Sequence, residues 1–95
     1  MYSLSNKAST DLDSILDYSI INFGTDVMLK HHKSIEQCFE ILDKNPDLGR
    51  EIEHIHSDYL CFEHCSHLVF YKKLSKDILI IRILHKSMDV LEHFN

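Results

Sequence analysis

Apolar positions follow two rhythms along this chain. Between Leu12 and Leu42 they recur every three or four residues, whereas between Tyr59 and Leu84 they alternate or run together. The first rhythm predicts helices and the second strands. Tyr2-Ser3-Leu4-Ser5 alternates and predicts a short edge strand with Tyr2 and Leu4 inward. Ser5 or Ser9 supplies a hydroxyl to cap the helix that follows, which runs to about Asn22. Leu12, Ile15, Leu16 and Ile20 form its apolar stripe. Asp11, Asp13 and Asp17 fall on its other faces, toward the end where the helix dipole favours acids. Gly24 breaks the run, and Thr25 is a fitting N-cap for a second helix carrying Met28, Ile35, Phe39 and Leu42, with Cys38 beside them. Asn45-Pro46 ends that helix, because a residue before proline is pushed out of helical geometry. So short a link predicts an antiparallel helical hairpin.

Beyond a turn at Asp47-Leu48-Gly49-Arg50, the stretch Glu51 to Asp58 has no clean period and reads as an irregular crossing with room for one helical turn. Tyr59 to Glu63 and His67 to Lys73 predict strands, and Ser75-Lys76-Asp77 turns the chain into a third. That third strand, Ile78-Leu79-Ile80-Ile81-Arg82-Ile83-Leu84, is nearly all aliphatic and predicts burial on both faces. Strict alternation sends Leu79, Ile81 and Ile83 one way and Ile78, Ile80, Arg82 and Leu84 the other. The helices cover about one face, so the other is expected to be covered by a partner chain or by an end of this chain folded back. Of Phe70 and Tyr71, on opposite faces, Phe70 is expected in the core and Tyr71 on the open side. Ser87 is placed to cap a short terminal helix, with Met88, Leu91 and Phe94 roughly on one side. The order predicts one α+β domain over residues 1–95, with the hairpin on one face of a small, mainly antiparallel sheet.

Composition narrows the function classes. At 95 residues with 44% hydrophobic and 26% charged positions the chain reads as globular rather than disordered. A net charge of −5 disfavours nucleic-acid binding by the surface as a whole. Three cysteines without a signal-peptide pattern predict free thiols in a reducing cytoplasm. No segment is long enough to span a membrane.

The ending Arg82-Ile83-Leu84-His85-Lys86-Ser87-Met88-Asp89 resembles the closing motif of ParE toxins, in the RelE/ParE superfamily of type II toxin–antitoxin systems. The likeness runs almost end to end. It takes in Leu4-Ser5, Ala8, Asp11-Leu12, Ile15, Tyr18, Phe23-Gly24, Phe39, Leu42 and Asn45 to Arg50. Tyr59, Phe62, Ser66-His67 and Phe70-Tyr71 continue it. The resemblance implies a β-α-α-β-β-β fold and a bacterial cytoplasmic toxin. A ParD-like antitoxin would hold it inactive by laying an apolar helix along the hairpin and making further contacts across the sheet. It also implies inhibition of DNA gyrase by trapping its complex with cleaved DNA, which blocks replication, arrests growth and stabilises plasmids without a catalytic residue. A hetero-oligomer with the antitoxin follows, with a homodimer left open; no cofactor, metal, membrane or sequence-specific nucleic-acid partner is expected. Leu60, Cys61, Glu63 and Cys65 depart from the family, which often has basic residues at the first two positions and proline and glycine at the others.

Arg82 is the foremost candidate for binding target or antitoxin, as a guanidinium on the open sheet face; its alternative is an internal pair with Asp89 or Glu63. His85, Lys86, Met88 and Asp89 follow it, and Tyr71, Ile80 and Leu84 are expected on the same open face. Asp89 and Met88 have plain structural alternatives in helix capping and packing. Val27 and Ile41, left outside the helical stripe, are candidate antitoxin contacts. In the RelE branch this end of the sheet contributes to RNA cutting, but Arg82, His85, Lys72 and Lys73 make no complete acid–base set. A ribosome-dependent messenger RNase and an inactive relic that only binds antitoxin remain the alternatives. Cys61, His64, Cys65 and His67 suggest zinc, yet Cys61 and Cys65 lie roughly 13 Å apart along a straight strand, so free thiols are expected. His67 reads as structural, and His31, His32, His54 and His56 receive no role.

Overall fold

The computed structural model describes residues 1–94; Asn95, the last residue of the expected domain, lies outside the described residues. Strand β1 (Tyr2–Leu4) leads into α1 (Asn6–Phe23) and α2 (Thr25–Lys44), followed by β2 (Arg50–Glu51), β3 (Leu60–His64), β4 (His67–Lys73) and β5 (Ile78–His85). The chain closes with a 3-10 turn at Leu91–His93. The sheet order is β1-β5-β4-β3-β2, with β1 parallel to β5 and every other pair antiparallel. The expected α+β order therefore holds, with β2 as an addition. Arg50 and Glu51, read as part of a turn and crossing, pair with Cys61 and Leu60.

Ser5 begins α1, its hydroxyl accepting the Ala8 N–H at 3.0 Å. At the hairpin bend Gly24 holds φ +89, a backbone region that suits glycine. Its N–H caps the Ile20 carbonyl, and its own carbonyl accepts the Met28 N–H. Gly24 rather than Thr25 is thus the N-cap of α2. Ile35, Cys38, Phe39 and Leu42 bury the inner face of α2 as its period predicts.

The strict alternation expected of β5 fails at one residue. Phe70 faces Arg82 and Tyr71 faces Ile80, so Ile81 is an extra residue in the ladder, a β-bulge. The Ser5 hydroxyl donates to the Ile81 carbonyl at 2.7 Å and so occupies a group the ladder leaves free. The bulge puts Ile78, Ile80 and Ile83 together on the helix side, where they pack with Leu60, Val69, Tyr71, Phe39 and Leu42. Leu84 and Phe70 face the other way, with Cys61 and Ile52. This corrects the expected faces: Ile80 and Tyr71 belong under the helices, and Phe70 belongs on the side away from them.

That second side is roofed by the chain itself. Ile55 and Tyr59 from the crossing, with Val90 and Phe94 from the terminal stretch, pack on it. The Phe94 ring meets Phe70 edge-on at 4.9 Å and Tyr59 at 5.8 Å. Of the two covers the sequence allowed for this face, the folded-back end is the one used, and among the described residues both apolar sheet faces are covered.

Tyr71 ties the sheet to the bend after α2. Its hydroxyl donates to the Pro46 carbonyl at 2.7 Å and accepts the Gly49 N–H at 2.8 Å. A β-carbon on Gly49 would run into the Tyr71 ring and hydroxyl, which explains the glycine there. Tyr71→Phe strips both backbone groups of their partner and is expected to cost about 1–2 kcal/mol, read as a lower urea midpoint at unchanged slope. An unchanged midpoint would show that water replaces the hydroxyl at no loss.

Candidate functional site

An open groove of about 670 Å³ runs between the helical hairpin and the end of β5. Its helical wall is Ile15, Tyr18, Phe23 and Val27; its far side is His67 and His85, with Met88 and His93 from the terminal stretch. The wall is unusually apolar for a surface: Tyr18 is 64% exposed, Phe23 62% and Val27 45%, and neighbouring Ile21 is 81% exposed. Contiguous exposed apolar side chains on a small domain mark a place where another molecule sits. Helix α1 produces the wall because it carries more apolar positions than one core-facing stripe requires. Leu12 and Ile15 turn toward the sheet, while Tyr18, Ile21 and Phe23 turn outward.

Arg82 and Asp11 also line the groove. Arg82 donates from Nε and Nη2 to the two Asp11 oxygens at 2.8 and 3.0 Å, and from Nη1 to the His93 carbonyl at 3.1 Å. Asp11 additionally accepts the Ile83 N–H at 3.0 Å. Both side chains are mostly shielded, at 13% and 15% exposure. The hydrogen bonds that Arg82 donates to Asp11 raise its pKa above the ordinary value, so the guanidinium stays charged. Arg82 is therefore an internal brace joining α1, β5 and the terminal stretch. Its partner is neither Asp89 nor Glu63, and Asp11 points inward rather than to an outer helix face.

The other candidates divide by burial. Tyr71 and Ile80 have no exposed surface and Leu84 has 1%, which corrects the expectation that they present an open face. His85 lies at the groove edge. Its Nδ1 accepts the Ser87 N–H at 3.1 Å, with the Ser87 hydroxyl at 2.7 Å, so the ring's proton resides on Nε2. Lys86 pairs with Glu63 at 2.7 Å, and Met88 is 46% exposed. Asp89 accepts the Leu91 N–H at 3.2 Å, at the entry to the 3-10 turn, where Ser87 was expected to cap. Val27 lines the groove; Ile41 is 50% exposed but stands outside the groove lining.

Three imidazoles from three elements form a row, with His67 5.7 Å from His31 and 5.4 Å from His85, ring centre to ring centre. Burial first, then the neighbouring His31, His85 and His64, pushes the His67 pKa down to about 4. His64, which shares a 2.9 Å hydrogen bond with Ser34, is also lowered, by burial and by His31. The cysteines do not gather with them. Cys61 is buried on the far sheet face, and Cys38 is buried under α2 with a thiol pKa pushed up to about 11 by desolvation. Cys65 is exposed in the β3–β4 turn at φ +53. His31, His93, Tyr18, Phe23 and Asp11 are among the groove residues that sequence reasoning gave no site role. The second apolar stripe of α1 was the available signal for two of them.

Comparison with known proteins gives concordant results. A model of the ParE toxin of the type II toxin–antitoxin system parDE matches residues 2–90. The chain is 32% identical over 92 residues to Toxin ParE1 of Caulobacter vibrioides, spanning 97% of this chain and 95% of that protein. Among solved structures it is similar to a chain of the chromosomal ParDE TA system from P. aeruginosa, with a TM-score of 0.73 at 25% identity. That match covers 88% of this chain and 92% of the other.

Proposed function

The chain belongs to the ParE toxin family of type II toxin–antitoxin systems, and on that premise we propose that it poisons DNA gyrase until a ParD-like antitoxin fills the groove. In this reading the toxin works by binding rather than catalysis. It stabilises the complex of gyrase with cleaved DNA in the bacterial cytoplasm and so blocks replication. The antitoxin lays an apolar segment along Tyr18, Phe23 and Val27. The observation that carries the antitoxin's place is the exposure of that wall, since the other apolar face of the sheet is already roofed by the chain's own end. His85 and Met88 meet the bound segment, Lys86 and Asp89 form its exposed rim, and Arg82 holds the floor in shape. Tyr71, Ile80 and Leu84 support it from inside.

Induced expression tests the toxin. Growth arrest with filamentation and DNA damage supports gyrase poisoning, whereas rapid loss of translation with cut transcripts would replace it with a ribonuclease. A specific observation favours a second reading, a relic that binds antitoxin and harms nothing. Leu60 and Cys61 stand where the family often has basic residues, and both are buried here, while Glu63 neutralises Lys86. Strand β3 therefore offers gyrase little positive charge, and harmless expression with intact antitoxin binding would establish the relic. For the groove itself, Val27→Asp is expected to weaken antitoxin binding about tenfold, since it puts a charge where an apolar anchor would sit. Calorimetry against the antitoxin encoded beside the toxin reads this, and an unchanged Kd would move the antitoxin elsewhere.

A further inference from the structure

We propose that the histidine end of the groove is a carboxylate-receiving site: the antitoxin segment sets an acidic side chain against the imidazoles of His31, His67 and His85, and the complex takes up a proton as it forms. The proposal rests on the reading of the groove as the antitoxin's seat and names the chemistry of that seat's polar end.

Among the described residues, the row of rings lacks an acid. Helix α2 brings His31 to the row, the start of β4 brings His67 and the end of β5 brings His85. Among the described residues the groove lining holds a single carboxylate, Asp11, and it already accepts three N–H groups from Arg82 and Ile83. Of the charged residues beside the row in sequence, Lys86 pairs with Glu63 and His32 lies 3.3 Å from Glu36, and the groove lining carries one further imidazole, His93. His64, behind the row on β3, is engaged with Ser34. The His85 Nδ1 is occupied by Ser87, which leaves Nε2–H a donor with no acceptor among the described residues. Crowded imidazoles resist protonation together, because each added charge repels the next. A carboxylate brought among them reverses that preference and accepts a charge-assisted hydrogen bond from a protonated ring. The proton bound in the complex and absent from the free toxin is then drawn from solvent, and affinity depends on pH through that difference. A cationic side chain at the same place would instead repel the protonated ring and release a proton rather than take one up.

The apolar wall and the histidine row thus make two separable demands on one segment, grease along the hairpin and an acid at the end of β5. The probe is the antitoxin encoded beside the toxin, titrated calorimetrically at pH 7 in phosphate and in Tris, whose ionisation heats differ. The expected result is uptake of about one proton per complex, and a Kd that rises by up to about tenfold per pH unit above neutrality. The triple variant His31→Gln, His67→Gln, His85→Gln abolishes the uptake and flattens the pH dependence. Val27→Ser, which shortens the apolar wall without bringing a charge beside His31 one turn on, weakens binding equally at every pH and leaves the uptake intact. Binding with equal heats in both buffers, or uptake that survives the triple variant, overturns the carboxylate site while leaving the groove as the seat. If Val27→Ser does not weaken binding, the groove reading itself has failed. The free toxin then decides: 4-phenylbutyrate added at pH 6 shifts the ring resonances of His31, His67 and His85 if the site exists, and leaves them unmoved if it does not.

Discussion

Asp11→Ala is expected to destabilise the protein by about 3–5 kcal/mol, the largest effect of any single substitution on the groove floor. The size comes from what one carboxylate holds. Two Arg82 donors and the Ile83 N–H converge on it, at 2.8, 3.0 and 3.0 Å, from a strand residue that is 3% exposed. Alanine strands a shielded guanidinium and a buried backbone donor together, and water reaches neither well. Arg82→Ala is expected to cost less, because Asp11 keeps the Ile83 N–H and turns its freed oxygen toward solvent. Asp11→Asn falls between them, retaining an acceptor for Ile83 without the charge. Urea unfolding of the three variants reads the order, and a loss below about 1 kcal/mol for Asp11→Ala would show that the brace is solvated in practice. The ranking bears on function as well. If Arg82→Ala silences the toxin while Asp11→Asn, equally folded, does not, then Arg82 touches the target in addition to bracing the floor.

The elements were legible because they follow from local chemistry. Ser5, Gly24 and Asn45-Pro46 punctuate the helices, and the apolar period of α2 names its buried face in advance. The faces of β5 were not, because a period of two assumes an unbroken ladder and Ile81 breaks it. No residue in Ile80-Ile81-Arg82 advertises a bulge. Its stabilisers, the Ser5 hydroxyl and the Asp11 carboxylate, come from more than seventy residues away. One extra residue was enough to part Ile80, under the helices, from Leu84, on the far side, although strict alternation had put both on one face. Across the ladder Tyr71 goes with Ile80 and Phe70 with Arg82. The roof over the far face was half legible. Two apolar strand faces require two covers, but composition cannot say whether Phe94 or a second molecule supplies the second.

The site was legible as a motif and not as a surface. Arg82 through Asp89 drew notice together, yet the structure divides them between a brace, a rim and a turn. What binds is set by what stays exposed, and exposure follows from tertiary packing. Tyr18 and Phe23 became a wall only once α1 docked through Leu12 and Ile15, and His31 joined His67 only once α2 crossed the end of β4.

Mild acid is expected to weaken the free toxin, and the sign follows from His67. Its folded pKa of about 4 lies below the ordinary 6.5 of imidazole, so the unfolded chain holds the proton more readily. The stability due to this neutral ring is present in full above pH 6.5, declines as pH falls toward 4, and is spent below that. The two values set an upper limit of about 3 kcal/mol, reduced by the water that reaches a partly exposed ring. His64, lowered in the same direction, adds to the slope. Urea midpoints at pH 7.5, 6 and 5 should fall in that order, and His67→Gln should flatten the decline. Midpoints that hold level or rise toward pH 5 would contradict a neutral, crowded His67. The bound toxin should behave oppositely. A carboxylate set against the row gives the proton a place to stay, so the acid that loosens the free chain tightens the complex. The two pH dependences then share one cause, the row of rings between α2 and β5, and removing His67 should diminish both.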